Sequence, residues 1–194
     1  MKNGKMLGMT AAALVCLAGT ARTANIVTNG SFAESTGWTV NSATLVGYGG
    51  GSAYMGQSGS IWQMTDHVIA LGDVYHVSWQ AQALSATATS TATVALINYT
   101  DTGDKNPITG VTVTVQPSSW DTFTFDYTPP AGSPYLGKTI GIYLNCPGNA
   151  AEWIAFTDVV VDVVPEPGTL LLASAGLLGL AGGRRPRAAA ANGR

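Results

Sequence analysis

Short β-branched and aromatic runs dominate the sequence between Asn25 and Val164, and turn-forming residues interrupt them about every ten positions. No segment there repeats its apolar residues with helical spacing over several turns, so the runs are predicted to be strands. The predicted strands are 25–28, 36–40, 43–47, 53–56, 60–64, 74–83, 91–99, 109–115, 120–128, 138–145 and 152–163. Strands of this length and spacing favour one all-β domain, an antiparallel β-sandwich or jelly roll.

Alternation within the strands assigns side chains to faces. Tyr75, Val77 and Trp79 share one side of their strand, whereas His76 and Gln80 share the other. Strict alternation predicts one buried and one solvated face for each sheet. The stretch 85–93, which is rich in Ala, Thr and Ser, is interpreted as a mobile or edge segment.

Charge is distributed unevenly along the chain. The whole chain has a net charge of −2, but residues 25–164 carry ten acidic residues against Lys105 and Lys138, a net charge of −8. The remaining basic residues lie near the two ends. An acidic body with two lysines offers no surface for a phosphate backbone, so nucleic acid is not expected as a partner.

The first 24 residues have the organisation of a secretory signal peptide. Lys2 and Lys5 provide the positive start, and the apolar run Met6–Ala18 is too short to span a bilayer stably. Cleavage is expected after Ala21, with Ala24 as the other candidate, and export would use the Sec translocation machinery. A buried N-terminal helix is the alternative.

The C-terminal segment has three parts in sequence. Pro165-Glu166-Pro167 precedes an apolar run, Thr169–Ala181, and the cluster Arg184-Arg185-Pro186-Arg187 follows. Because proline cannot continue a strand ladder, the prolines are predicted to end the folded body at Val164. Arginines after an apolar helix stay cytoplasmic, which places the body outside the membrane.

These three parts resemble the PEP-CTERM sorting signal of Gram-negative bacteria, over residues 165–187, with 188–194 as a tail. The resemblance implies recognition by an exosortase-type enzyme and cleavage near the Pro-Glu-Pro. It also implies transient anchoring in the inner membrane by the C-terminal helix, then delivery to the cell surface or the exopolysaccharide matrix. An ordinary C-terminal anchor helix is the alternative. The residues that match the sorting motif are Pro165, Glu166, Pro167, Arg184 and Arg185.

A second resemblance covers most of the body. The segments 25–32, followed by Gly37-Trp38, then 72–79 and 155–161, resemble in order the opening, central and closing strands of galactose-binding-like jelly rolls. Carbohydrate-binding modules share this fold, and residues 137–142 also resemble the jelly roll of calcium-dependent alkaloid cyclases. The resemblance implies a structural calcium, with Asp158 as the closing aspartate. Glu34 is the candidate opening acid, although it stands one residue beyond the family's position, which Ala33 occupies.

Glycan binding is the functional hypothesis for the body. Sugars are recognised by aromatic faces together with amide and hydroxyl groups on a rigid surface. A polar outer face without any function is the alternative, since exposure is the default state of polar residues. Trp38, Trp79 and Trp120 are instead expected in the core. The candidate glycan-binding residues are Trp62, Gln80, Gln82, Tyr99, Tyr143, Asn145 and Trp153.

Catalysis is not expected. His67 and His76 are the histidines of the chain, and neither stands in a nucleophile or zinc motif. An enzyme would require these histidines to meet Asp66 and Asp158 in one cleft. The sequence therefore predicts a secreted protein with a non-catalytic structural or adhesive role. A dedicated carbohydrate-binding module is the alternative, and a small extracellular enzyme on a jelly-roll scaffold is the remote one.

Overall fold

The computed structural model describes residues 24–41, 45–99, 104–148 and 152–165. These ranges form antiparallel strands, which confirms the all-β prediction. None of the described residues belongs to a helix long and apolar enough to cross a membrane, and the predicted terminal helices lie outside the described ranges. The strands are β1 (Ala24–Asn25), β2 (Thr39–Val40), β3 (Val46–Gly49), β4 (Ser52–Gly56), β5 (Ser60–Val68), β6 (Asp73–Ala83), β7 (Ser90–Tyr99), β8 (Lys105–Val115), β9 (Asp121–Tyr127), β10 (Thr139–Asn145) and β11 (Trp153–Pro165).

The strands form two sheets that enclose the core between them. The six-stranded sheet has the order β3-β4-β11-β6-β9, and β1 adds to β11 beyond the end of β4. The five-stranded sheet has the order β2-β5-β10-β7-β8. Since most neighbours in the sheets are not consecutive in the chain, the chain crosses repeatedly between the two sheets, as in a jelly roll.

The side chains of β6 that alternation assigns to the inner face lie in the core, as the sequence predicts. Tyr75, Val77 and Trp79 on β6 are all fully buried, and they face the five-stranded sheet. Trp79 stacks on Phe123 with ring centroids 5.6 Å apart, and Phe125 meets it edge-on at 6.0 Å. The aromatic side chains of neighbouring strands β6 and β9 therefore form one continuous apolar layer.

Two sequence-based expectations are wrong. Ser90–Thr93, the end of the stretch expected to be mobile or at an edge, begins β7, which lies between β10 and β8. Small Ala92 packs inward there, while Thr93 faces out and meets the hydroxyl of Thr112 at 2.9 Å. Trp120, expected in the core, is 41% exposed because it lies in the turn before β9 rather than on the strand.

The two ends of the body lie side by side. Ala24 pairs with Val163 across β1 and β11, and Pro165 still pairs with Asp73 on β6. The strand thus continues one residue beyond the predicted body boundary at Val164. Since β1 and β11 are antiparallel, the chain enters and leaves the sandwich at the same end of the six-stranded sheet.

Candidate functional site

A row of five residues crosses the outer face of the five-stranded sheet. Tyr143 lies opposite Trp62 on one side and Ala95 on the other; Thr39 continues the row beyond Trp62, and Gly110 beyond Ala95. Two aromatic rings are therefore followed by two positions with almost no side chain. A trough beside an aromatic wall follows from this order of residues.

The floor of the trough depends on the glycine. A Cβ atom at Gly110 would lie 2.7 Å from the Cβ of Ala95, which is closer than side chains approach. The next row supplies polar groups, because Asn145 lies opposite Thr93 and Thr93 opposite Thr112. Amide and hydroxyl groups thus lie directly beside the aromatic row.

Lys105 reaches over this face from the edge strand β8. Its ammonium nitrogen lies 3.4 Å from the centroid of the Trp62 ring and 5.5 Å from that of Tyr143. Lys105 is opposite Tyr99, so in a flat sheet its Cα atom would be roughly 19 Å from that of Trp62. The two side chains cannot bridge that distance. The contact therefore shows that β8 curls over the face at its first residue, Lys105.

The pairing register of β7 and β8 shifts near the point where β8 bends over the face. The pairing shifts between Leu96 and Ile97, and one extra residue of β8 is accommodated there. Such a bulge bends a strand pair and increases its twist. Ala95 and Ile97 point outward and are nevertheless only 6% and 2% exposed. The expectation of a solvated outer face is wrong at these two positions of β7. Their burial and the position of Lys105 over Trp62 indicate that this face is concave, and the aromatic row with Lys105 is called the cleft below.

The ammonium group of Lys105 lies in unusual surroundings for a charged group. Burial lowers the pKa of its ammonium group, because partial removal from water disfavours the charged form. The ion pairs found within the described ranges are His67–Asp73 and His76–Asp126. Its charge is instead held by the electron-rich faces of two aromatic rings. The sequence analysis missed this residue, although the scarcity of lysine in the body was a signal.

The candidate glycan-binding residues lie on two different faces. Those on the outer face of the five-stranded sheet are Trp62, Tyr99, Tyr143 and Asn145. Those on the outer face of the six-stranded sheet are Gln80, Gln82 and Trp153. The ring of Trp153 covers Gly56 and is 38% exposed. The two groups are separated by the core, so a single ligand cannot contact both.

The histidines and acids are also dispersed. His67 Nε2 lies 3.0 Å from Asp73 Oδ2 and 3.1 Å from the Tyr75 hydroxyl, which itself donates to Asp73 Oδ2 at 3.0 Å. His76 pairs with Asp126 at 2.6 Å on the outer face of the six-stranded sheet. Asp66, next to His67, is exposed on β5. Asp66 and His67 line one cavity, but His76 lies on the outer face of the other sheet. The His67–Asp73–Tyr75 cluster links β5 of one sheet to β6 of the other.

The calcium prediction has two acidic donors in one neighbourhood. Asp158 follows a register shift in β11 and has a positive φ of 50°, while the next residue donates to the Gly30 carbonyl at 3.0 Å. Glu34 belongs to the loop after Gly30 and accepts from the Thr36 hydroxyl at 3.3 Å. The described residues contain no group of three His, Cys, Asp or Glu side chains that could hold a metal. Two carboxylates are a sparse donor set for a calcium ion with six to eight oxygen ligands, and we derive no function through it.

Comparison with known proteins establishes the class of fold. A solved CBM4 domain has 22% identity and a TM-score of 0.52, and the alignment covers 72% of this chain and 99% of that one. The CBM22-1 xylan-binding domain of Paenibacillus barcinonensis Xyn10C has 14% identity and a TM-score of 0.53, over 74% and 96% of the two chains. A cyclase from Fischerella sp. TAU has 16% identity and a TM-score of 0.60, over 75% and 99%. At these identities the likeness establishes the fold alone, a jelly roll that the two carbohydrate-binding modules and the cyclase share.

The C-terminal segment matches a known sequence motif. Residues 163–185 match the PEP-CTERM protein-sorting motif, which confirms the resemblance seen in the sequence. No curated protein matches the chain at a significant level. The chain is thus a carbohydrate-binding-module-like jelly roll that carries a PEP-CTERM sorting signal.

Proposed function

We propose that this protein is exported, processed by an exosortase-type enzyme, and retained at the cell surface or in the exopolysaccharide matrix as a non-catalytic glycan-binding component. The aromatic cleft of the five-stranded sheet is the observation that carries the glycan-binding part. The PEP-CTERM motif carries the sorting part.

The architecture of the body supports sorting at a membrane. Its two ends leave the sandwich side by side, so an uncleaved signal peptide and the sorting segment would both meet the membrane from one end of the body. The residues 166–168 separate β11 from the apolar run, and they span at most about 10 Å. The body is therefore held close to the bilayer until cleavage. Transient anchoring in the inner membrane and recognition by an exosortase are part of this proposal.

The cleft supports glycan binding through its composition. The apolar face of a pyranose packs against aromatic rings, and its hydroxyl groups exchange hydrogen bonds with amides and hydroxyls. Trp62 and Tyr143 supply the rings, while Asn145 and the paired Thr93 and Thr112 supply the polar groups. The CBM4 and CBM22-1 domains with the same fold favour this interpretation.

The binding experiment compares two tryptophans on opposite faces. The full-length chain in mild detergent is tested by affinity electrophoresis against a panel of neutral and acidic polysaccharides. Trp62→Ala is expected to weaken binding roughly 10- to 100-fold, because an aromatic platform contributes about 1.5–3 kcal/mol. Trp153→Ala, the matched control, is expected to leave binding unchanged. Binding of no polysaccharide, or an equal loss in both variants, contradicts a glycan site in the cleft.

The sorting experiment measures the mature C-terminus. In a host with an active exosortase, the secreted protein is expected to lack Arg194 by intact mass, whereas Glu166→Ala is expected to retain it in the membrane fraction. Retention of Arg194 in the secreted wild-type protein contradicts processing and favours an ordinary anchor helix.

A small extracellular enzyme remains the alternative class, since a cyclase shares the fold. The geometry favours binding over catalysis. Asp73, the acid beside His67, is nearly buried and already accepts from the Ala70 amide, Tyr75 and His67 where the chain passes from β5 to β6. In the aromatic row, Trp62 and Tyr143 are instead half-exposed and Gly110 is exposed, so a ligand can reach them.

A further inference from the structure

We propose that the cleft selects glycans that carry carboxylate groups, with the Lys105 ammonium group as the counter-charge for a uronic acid residue. This inference rests on the proposed glycan-binding function and adds the chemical class of the ligand.

The position of Lys105 is the first step. Its ammonium lies on the ring face of Trp62, which is the surface that a sugar needs for stacking. A ligand that stacks on Trp62 must therefore displace the ammonium from the ring. A neutral sugar removes this favourable contact and offers no charge in return. A uronic acid residue offers a carboxylate that accepts hydrogen bonds from the displaced ammonium.

The surroundings of Lys105 are the second step. The group is half-buried, its charged form is disfavoured by lost hydration, and its ammonium lies against the rings of Trp62 and Tyr143. A partly desolvated cation gains more from a bound carboxylate than a fully hydrated one does. A carboxylate that reaches this ammonium is therefore expected to strengthen binding.

The charge of the whole body makes this preference specific. The body has a net charge of −8, and its second lysine, Lys138, is exposed at the surface. Its general field repels polyanions, so attraction by net charge cannot produce uronate binding. Any preference for acidic glycans must arise from a local contact, and Lys105 is the cation of the cleft.

The experiment uses pairs of polymers that have the same sugar backbone and differ in whether their carboxyl groups are charged. Polygalacturonate, alginate and a glucuronic acid polymer are each compared with a form whose carboxyls are methyl-esterified. Full-length wild-type protein is expected to bind at least one acidic form about tenfold more tightly than its ester. Lys105→Gln is expected to abolish this ratio, and Lys105→Arg to preserve it. Lys138→Gln changes the net charge equally and is the matched control, with the ratio unchanged.

Several outcomes would overturn the proposal. Equal binding of acid and ester forms by the wild type for all three polymers contradicts selection for carboxylates, while glycan binding itself would stand. An equal effect of Lys138→Gln shows that net charge is responsible. Tighter binding of neutral polymers by Lys105→Gln, with acidic binding unchanged, shows that Lys105 only covers the ring. Failure of every polysaccharide, neutral or acidic, contradicts the glycan-binding function as well. Thermal unfolding of each variant checks that it is folded.

Discussion

Strands β6 and β7 each lie inside a sheet with a neighbour on both sides, but their outward-facing residues differ in exposure. On β6, His76 is exposed and Gln80 is half-buried, so this face of the six-stranded sheet is open and polar. On β7, the outward-facing Ala95 and Ile97 are buried. The same alternation of inward and outward residues has produced an open face on one sheet and a cleft on the other.

The cause of the difference is the bending of one hairpin. β6 pairs with β9 without a register shift from Tyr75 to Ala81, whereas the pairing of β7 with β8 shifts at Leu96 and Ile97. Lys105, which lies beyond the shift, then reaches over the face of its own sheet. A single extra residue in an edge strand thus converts a solvated face into a potential binding site.

The largest expected effect tests whether the β7 face is truly covered. Ile97→Ala is expected to destabilise the protein by about 2–4 kcal/mol, since it leaves a cavity at a buried position. Gln80→Ala, at an outward position of β6, is expected to change the free energy of unfolding by less than about 0.5 kcal/mol. Urea denaturation followed by tryptophan fluorescence measures both. Similar values for the two variants would show that the outer faces do not differ.

A smaller effect concerns the point where the two sheets are connected. The Tyr75 hydroxyl on β6 bonds Asp73, which also contacts His67 on β5 of the other sheet. Tyr75→Phe is expected to lower stability by about 1.5 kcal/mol at pH 7, because it removes a hydrogen bond to a carboxylate. Chemical denaturation at pH 7 measures this difference.

The effect of the same variant is expected to shrink at alkaline pH. Burial, and then the charge of Asp73, raises the pKa of Tyr75 above its ordinary value of 10.0. A raised pKa in the folded state means that the stability is present below pH 10 and is lost as the pH rises above it. The wild-type protein should lose about 1.4 kcal/mol per pH unit there relative to Tyr75→Phe, so the difference should vanish near pH 11. A constant difference from pH 7 to 11 would contradict an ionisation suppressed by folding.

Much of the sandwich could be predicted from local patterns. The alternation of Tyr75, Val77 and Trp79 marks a half-buried strand whatever its neighbours are, and all three side chains are in the core. Trp120 shows the limit of this reasoning. A large aromatic residue next to a strand was expected to pack inward, but a turn at Ser118, with a φ of 63°, leaves its side chain exposed.

The cleft could not be predicted, because it depends on contacts between distant strands. Trp62 and Lys105 are 43 residues apart and meet only when β5, β10, β7 and β8 are ordered in one sheet and the last hairpin bends. The separation of Gln80 from Tyr143 likewise follows from strand order, since both residues alternate with buried neighbours. Alternation shows that a residue points outward, but not from which sheet.

The smallest effects compare the two histidine–aspartate pairs. His76 and Asp126 are 2.6 Å apart on the open face, with side chains 48% and 67% exposed, whereas His67 and Asp73 are 3.0 Å apart and 28% and 11% exposed. Because water and salt screen an exposed pair, His76→Ala is expected to cost less than about 0.5 kcal/mol despite the shorter distance. His67→Ala is expected to cost about 1 kcal/mol, since it removes a partner from a nearly buried carboxylate.

Salt dependence distinguishes the two pairs. Measured at pH 7, the effect of His76→Ala should disappear in 0.5 M salt, an ionic strength at which the Debye length is only about 4 Å. The effect of His67→Ala should persist under the same conditions. If instead the shorter pair contributes more, distance rather than burial determines the strength of these contacts, and the contrast between the open and covered regions of the molecule would not extend to its polar interactions.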